Sequence, residues 1–154
     1  VEYYEAGGGA VAKFNFQKIE EGTSGEEEPE PTEGTFSAEY FDNINLTGTP
    51  VLTRQDAQIN FNWGATTSPD PLIAVDNFSV RWTKQKQFAA GDYQFILKSD
   101  DGVRFWIDDQ LLVDDWTDHA EKVHTPTVTL TEGMHTVKLE YYEKAANAIM
   151  VLEE

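Results

Sequence analysis

From Phe36 to the C-terminus, apolar and polar residues alternate in short runs separated by turn-forming residues, the period-two pattern of half-buried β-strands. The clearest case surrounds Ser99-Asp100-Asp101-Gly102. Before it, Tyr93, Phe95 and Leu97 alternate with Gln94 and Lys98; after it, Val103, Phe105 and Ile107 alternate with Arg104 and Asp108. Asp101-Gly102 is a strong short-range hairpin signal, and Gly102 suits a turn position with positive φ. The pattern therefore predicts a hairpin across residues 93–107, turning at the Asp pair.

The same reading places strands over 36–41, 50–54, 59–63 and 77–83, the last with Phe78, Val80 and Trp82 on one face. Further strands are predicted over 110–116, 128–130 and 135–142. The polar run 117–125 reads as a loop, and Lys144-Ala-Ala-Asn147 as the turn of a closing hairpin. No segment sustains a 3.6-residue period, so helices are expected to be short or absent. Many short strands with frequent turn signals predict an all-β fold, an antiparallel sandwich or barrel. Tyr93, Phe95, Val103, Phe105, Val137, Leu139 and Tyr141 are its expected core.

The first nineteen residues read as a strand, a glycine turn and a strand, and they echo the other end of the chain. Val1-Glu2-Tyr3-Tyr4-Glu5 answers Leu139-Glu140-Tyr141-Tyr142-Glu143 at an offset of 138 residues, and Ala10-Val11 answers Ala148-Ile149. Self-similarity of this size suggests one repeat per domain in a tandem array. Residues 1–19 are then the closing hairpin of a preceding module, 20–35 a Glu, Pro and Gly-rich linker, and 36–154 the next module. A lone hairpin is at best marginally stable in water, so residues 1–19 are expected to dock on a neighbouring copy.

Charge narrows the partners. The net charge is −17; residues 1–19 sum to zero, residues 20–34 carry seven Glu and no base, and the remaining −10 lies in 35–154. That argues against nucleic acid and suits divalent cations as counterions. The chain has no cysteine, so disulfides, Cys–zinc sites and thiol nucleophiles are excluded. No run of eighteen apolar residues and no basic-then-apolar N-terminus appears, so neither a membrane span nor a signal peptide is expected in this sequence.

Turn chemistry accounts for one Asp at 100–101. Two adjacent carboxylates at a strand end repel unless a cation or strong donors lie nearby, so the pair is a candidate site. Asp108-Asp109 and Asp114-Asp115 read as solvated turn and strand-end residues. His119, His124 and His135 lie at no metal-ligand spacing and read as surface or hydrogen-bonded residues. Trp106 is out of phase with Phe105 and Ile107 and Trp116 ends a strand, so both are expected at the surface, where Trp can stack on a sugar. No acid sits in an apolar run that would raise its pKa for acid catalysis, so the segment is not expected to be an enzyme.

Tyr40-Phe-Asp-Asn43, Asp76-Asn-Phe-Ser-Val-Arg-Trp-Thr83, Ser99-Asp-Asp-Gly-Val-Arg-Phe-Trp-Ile-Asp108, Leu112-Val-Asp-Asp-Trp116 and Glu132 to Glu143 together resemble the protective-antigen fourteen-kilodalton domain family. The resemblance covers residues 36–154, and residues 1–19 resemble the tail of another copy. It implies a β-sandwich module, non-catalytic, from a secreted or cell-surface protein. In the lectin branch of that family an Asp–Asp pair joined by a cis peptide binds Ca²⁺, which grips sugar hydroxyls. Asp100 and Asp101 match that pair; the third ligand, an Asn in the branch, falls at Glu143, also a hard oxygen ligand. The loop 144–147 would lend backbone carbonyls, and Trp106, Trp116, Lys144 and Asn147 are the residues expected to contact a ligand.

Two functions remain open at this stage. One is a Ca²⁺-dependent carbohydrate-binding or adhesion module of an extracellular protein, with glycans as partners. The other is a structural repeat of a surface filament or spacer, joined to neighbouring copies through residues 1–19.

Overall fold

The computed structural model describes residues 34–154. The hairpin expected over 1–19, its docking on another copy, and all but the last two residues of the linker lie outside the described residues. The described part is all-β. In chain order the strands are β1 (Phe36–Phe41), β2 (Leu52–Asp56), β3 (Asn60–Gly64), β4 (Phe78–Phe88), β5 (Gly91–Gln94), β6 (Ile96–Asp100), β7 (Val103–Ile107), β8 (Gln110–Asp115), β9 (Lys122–His124), β10 (Thr127–Leu130), β11 (Gly133–Glu143) and β12 (Ala148–Glu153).

They form a six-stranded sheet in the order β2-β1-β4-β11-β7-β8, a four-stranded sheet in the order β3-β12-β6-β9, and a two-stranded β10-β5 ribbon. All pairings are antiparallel. The long central strands β4 and β11 pair along their full length, from Phe78 opposite Glu143 to Phe88 opposite Gly133. Alternation sets which side chains are buried: Val103, Phe105 and Ile107 point inward from β7, while Arg104 and Trp106 lie on the outer face.

The core between the sheets holds Tyr40, Trp82, Phe105, Leu139 and Tyr141 from the six-stranded sheet, with Leu97 and Met150 from the four-stranded one. Each such side chain contributes about 1.5–3 kcal/mol of burial. Six of the seven expected core residues are buried. Tyr93 is only half-buried, because its hydroxyl donates to the Ala89 carbonyl at an exposed turn, 3.1 Å away.

Two of the predicted hairpins are corrected, whereas the one leading from β7 into β8 forms. The strand expected over 93–97 breaks at Phe95, whose N–H donates to the Pro126 carbonyl; β5 pairs with β10, whereas β6 pairs with β12 and β9. β6 and β7 therefore lie in different sheets, and Asp101-Gly102 is a crossing between them. β11 and β12 likewise lie in different sheets, which makes 144–147 a second crossing rather than a hairpin turn. Alternation reports which face a strand buries and leaves its partner open. The loop expected over 117–125 also holds a short strand, β9, which forms the edge of the four-stranded sheet.

Candidate metal and ligand site

The two sheet crossings meet at one end of the sandwich. β6 ends on Asp100, β11 ends on Glu143, and Asp101 begins the link between β6 and β7. One carboxylate oxygen from each of Asp100, Asp101 and Glu143 can lie within 4.8 Å of the others. All three side chains are buried, Glu143 completely. The Asp100–Asp101 peptide is cis.

Gly102 is required here by space. It is not among the residues with positive φ; a Cβ on it would stand 2.2 Å from Cε1 of Tyr142. With no side chain there, the Tyr142 N–H reaches the Gly102 carbonyl at 3.0 Å, which binds the first crossing to the end of β11.

Asp101 is fixed by backbone donors on both oxygens. The His119 N–H donates to Oδ1 at 2.9 Å and the Lys144 N–H to Oδ2 at 3.0 Å. Tyr141 donates its hydroxyl to the Asp100 carbonyl at 2.5 Å and lies 3.2 Å from Glu143 Oε2. Glu143 Oε1 is sealed from solvent with no hydrogen-bond partner. Among the described residues, no Lys or Arg forms an ion pair with Asp100, Asp101 or Glu143.

The electrostatics follow from that arrangement. Burial, then the charge of Asp101, pushes the Glu143 carboxyl up to about 8; Asp100 and Asp76 add to the rise. Asp100 is raised for the same reasons, burial first and the Asp101 charge next. The expectation that no acid is held in raised-pKa surroundings is therefore corrected: Glu143 follows Tyr141 and Tyr142 into the interior. It is closed off from solvent, however, and cannot reach a substrate bond as a catalytic acid.

Three hard oxygen donors with an orphaned, buried carboxylate oxygen and no positive partner fit a calcium ion, which takes carboxylate and carbonyl oxygens in flexible geometry. Sequence reasoning missed Asp76. It lies in the 65–77 connection, next to the φ = 62° residue Asn77, and its Oδ1 accepts the Ala146 N–H at 3.3 Å. A fourth acid thus borders the second crossing, from a segment far away in sequence.

The residues expected to contact a ligand divide. Lys144 and Asn147 are exposed on the second crossing, and the Lys144 ammonium contacts Asp118. Trp116 stacks obliquely on Tyr142, ring centroids 4.8 Å apart, and so flanks the site. Trp106 lies further along the outer face of β7. The Arg104 guanidinium stands between the indoles, 4.1 Å from the Trp116 ring and 5.7 Å from that of Trp106, and the Lys138 ammonium sits 3.9 Å over Trp106. Both indoles are half-buried, roofed by cations, rather than free at the surface.

Two further expectations change. Asp108 occupies a turn, but it is bonded: Oδ1 accepts the Thr136 N–H, and Oδ2 lies 2.8 Å from His135 Nδ1. Asp115, His119 and His124 converge, each offering one ligand atom within 4.8 Å of the others. They are brought together by the connection from β8 to β9, which passes from the six-stranded to the four-stranded sheet, and not by a helix whose regular spacing the sequence would show.

Three comparisons bear on this geometry. The family model described as PA14 domain matches residues 31–153. The chain is 38% identical over 114 residues to anti-sigma-I factor RsgI3 of Acetivibrio thermocellus, covering 71% of this chain and 17% of that protein. An anti-sigma factor domain-containing protein from Clostridium clariflavum superposes with a TM-score of 0.70 at 36% identity, covering 78% of this chain and 41% of that one. The chain thus spans less than half the length of these two relatives. A structure described as the PA14 sugar-binding domain from an RTX adhesin shares the fold, with a TM-score of 0.65 at 17% identity over 79% of this chain and 89% of that one.

Proposed function

The chain belongs to the PA14 domain family, and on that premise we propose that it is a non-catalytic, extracellular carbohydrate-binding module whose sugar site depends on Ca²⁺. The observation that carries this reading is the buried trio Asp100, Asp101 and Glu143, which has no positive partner among the described residues and leaves Glu143 Oε1 without a hydrogen bond. Buried carboxylates in that condition call for a cation or a proton. Asp100, Asp101 and Glu143 would hold the ion, which would supply a Lewis-acidic centre for sugar hydroxyls. The protein's own groups do the positioning: the His119 and Lys144 N–H groups orient Asp101, and Tyr141 fixes the Asp100 carbonyl. Lys144, Asn147 and Trp116 on the rim would contact the sugar. The name of the adhesin domain that shares the fold supports the ligand class.

A glycan array probed with Ca²⁺ and with chelator tests the reading. Binding that disappears with chelator and in Glu143→Gln is expected. Equal binding under both conditions would overturn the role of the ion, and Ca²⁺ uptake with no glycan bound would overturn the ligand.

The duplication of Val1–Glu5 in Leu139–Glu143 favours a second reading, a structural repeat joined to neighbouring copies through residues 1–19. Deleting residues 1–34 and weighing the product by light scattering tests it; a mass per particle unchanged by the deletion would refute it.

A further inference from the structure

We propose that Asp115, His119 and His124 form a second cation site, for a transition-metal ion of the Zn²⁺ class, that ties the edges of the two sheets together. Asp115 ends β8, the edge of the six-stranded sheet, and His124 ends β9, the edge of the four-stranded sheet. His119 lies on the segment that joins them. Asp115 Oδ2 stands 3.3 Å from His124 Nε2 and 3.6 Å from His119 Nε2. Ligands about 2.0–2.1 Å from a tetrahedral ion lie about 3.4 Å apart, so these two separations already match the edges of such a site.

The ring nitrogens are prepared for the role. Both Nε2 atoms are shut from solvent, and neither makes a hydrogen bond. His119 Nδ1 is 2.9 Å from the Ala120 carbonyl; donation of its N–H there leaves the Nε2 lone pair facing Asp115, the orienting bond that metal-bound histidines generally make. The His119 lone pair turned toward the Asp115 carboxylate repels it unless a proton or a cation intervenes. Imidazole nitrogens with a carboxylate suit Zn²⁺ rather than Ca²⁺. Three protein ligands leave a fourth position open, and two of the three, Asp115 and His124, also line a cleft between β8 and β9.

The Lys122 ammonium contacts Asp115 Oδ2 and Thr117 donates to Oδ1 at 2.6 Å. The lysine side chain is 52% exposed and can swing into water when the ion takes its place. The two cation sites are distinct but adjacent. The same residue whose ring offers Nε2 donates its backbone N–H to Asp101 Oδ1, so an ion here would hold the segment that orients the first site.

The chain has three histidines in all, which makes ring-proton NMR a direct readout on the full chain. Zn²⁺ added in excess Ca²⁺ is expected to shift the His119 and His124 signals at one equivalent and leave His135, tied to Asp108, in place. Co²⁺ is expected to give a visible d–d absorption that Zn²⁺ abolishes. His124→Gln should weaken Zn²⁺ by about a hundredfold, while His135→Gln, whose imidazole is bonded to Asp108 instead, should leave Zn²⁺ affinity unchanged. Three histidines responding alike, none responding, or unaltered affinity in His124→Gln would overturn the proposal.

Discussion

Among the buried carboxylates of the described residues, Asp56 and the trio Asp100, Asp101 and Glu143 are solved differently. Asp56 accepts from the Tyr40 hydroxyl at 2.7 Å, the Trp82 indole N–H at 2.8 Å and Arg54 Nε at 2.7 Å; it has donors and a cation, so its charge is answered within the fold. Asp100, Asp101 and Glu143 have one another. Their donors are backbone N–H groups, of His119 and Lys144 to Asp101 and of Glu121 to Asp100, and one tyrosine hydroxyl, and Glu143 Oε1 has none. A buried charge that carries its own counterion is architecture; buried charges that share a cavity without one leave room for an ion from outside.

That contrast is broken most strongly at Asp56. Asp56→Ala leaves the buried Trp82 and Tyr40 donors unpaired and Arg54 without its partner, and should destabilise the chain by about 3–5 kcal/mol in urea melts. Gly102→Ala places a methyl group against the Tyr142 ring; the overpacking should cost about 1–3 kcal/mol, with weaker Ca²⁺ binding because both crossings move. Glu143→Gln carries the comparison the other way. Removing one of three mutually repelling acids should leave the ion-free chain within about 1 kcal/mol of the parent, yet Ca²⁺ titration should show a large loss of affinity. A Glu143→Gln variant as destabilised as Asp56→Ala would mean that both groups are architecture.

The smallest expected effect lies at His135. Its bond to Asp108 raises the imidazole pKa, while the Thr136 N–H first and the His135 bond second lower that of Asp108. A raised histidine contributes stability that is fully present below its unfolded value of about 6.5 and is lost as pH climbs through the folded value. A lowered carboxyl contributes above its unfolded value of about 3.9 and loses that contribution as pH falls through the folded one. The melting-temperature gap between the parent and His135→Gln should therefore be widest between those two values and close toward alkaline pH; a gap that widens above neutrality would contradict the assignment.

The strands and the Asp pair were legible in the sequence for different reasons, while Glu143 came only from the family resemblance. Period-two runs such as Val103 to Ile107 announce a face to bury, and Asp100-Asp101 announces a charge problem within two residues. The sheet crossings were not legible, since Asp101-Gly102 carries the same local signal as a hairpin turn and only the partners of β6 and β7 tell them apart. Gly102 was read as a turn residue, although its reason lies forty residues away in the Tyr142 ring. Asp76 comes from a segment joined to the site only by tertiary structure, so no spacing could announce it; Asp115, His119 and His124 are near neighbours in the chain, but only the passage from β8 to β9 turns their side chains toward one another.

The central claim is that the acid trio is a cation site, and thermal unfolding of the full chain with and without Ca²⁺ tests it most directly. An ion that binds only the folded chain stabilises it by about 2.7 kcal/mol at a hundred times its Kd, several degrees for a chain of this size. The account predicts that rise in the parent and its loss in Glu143→Gln. A melting temperature indifferent to millimolar Ca²⁺, with no heat of binding in calorimetry, would contradict it.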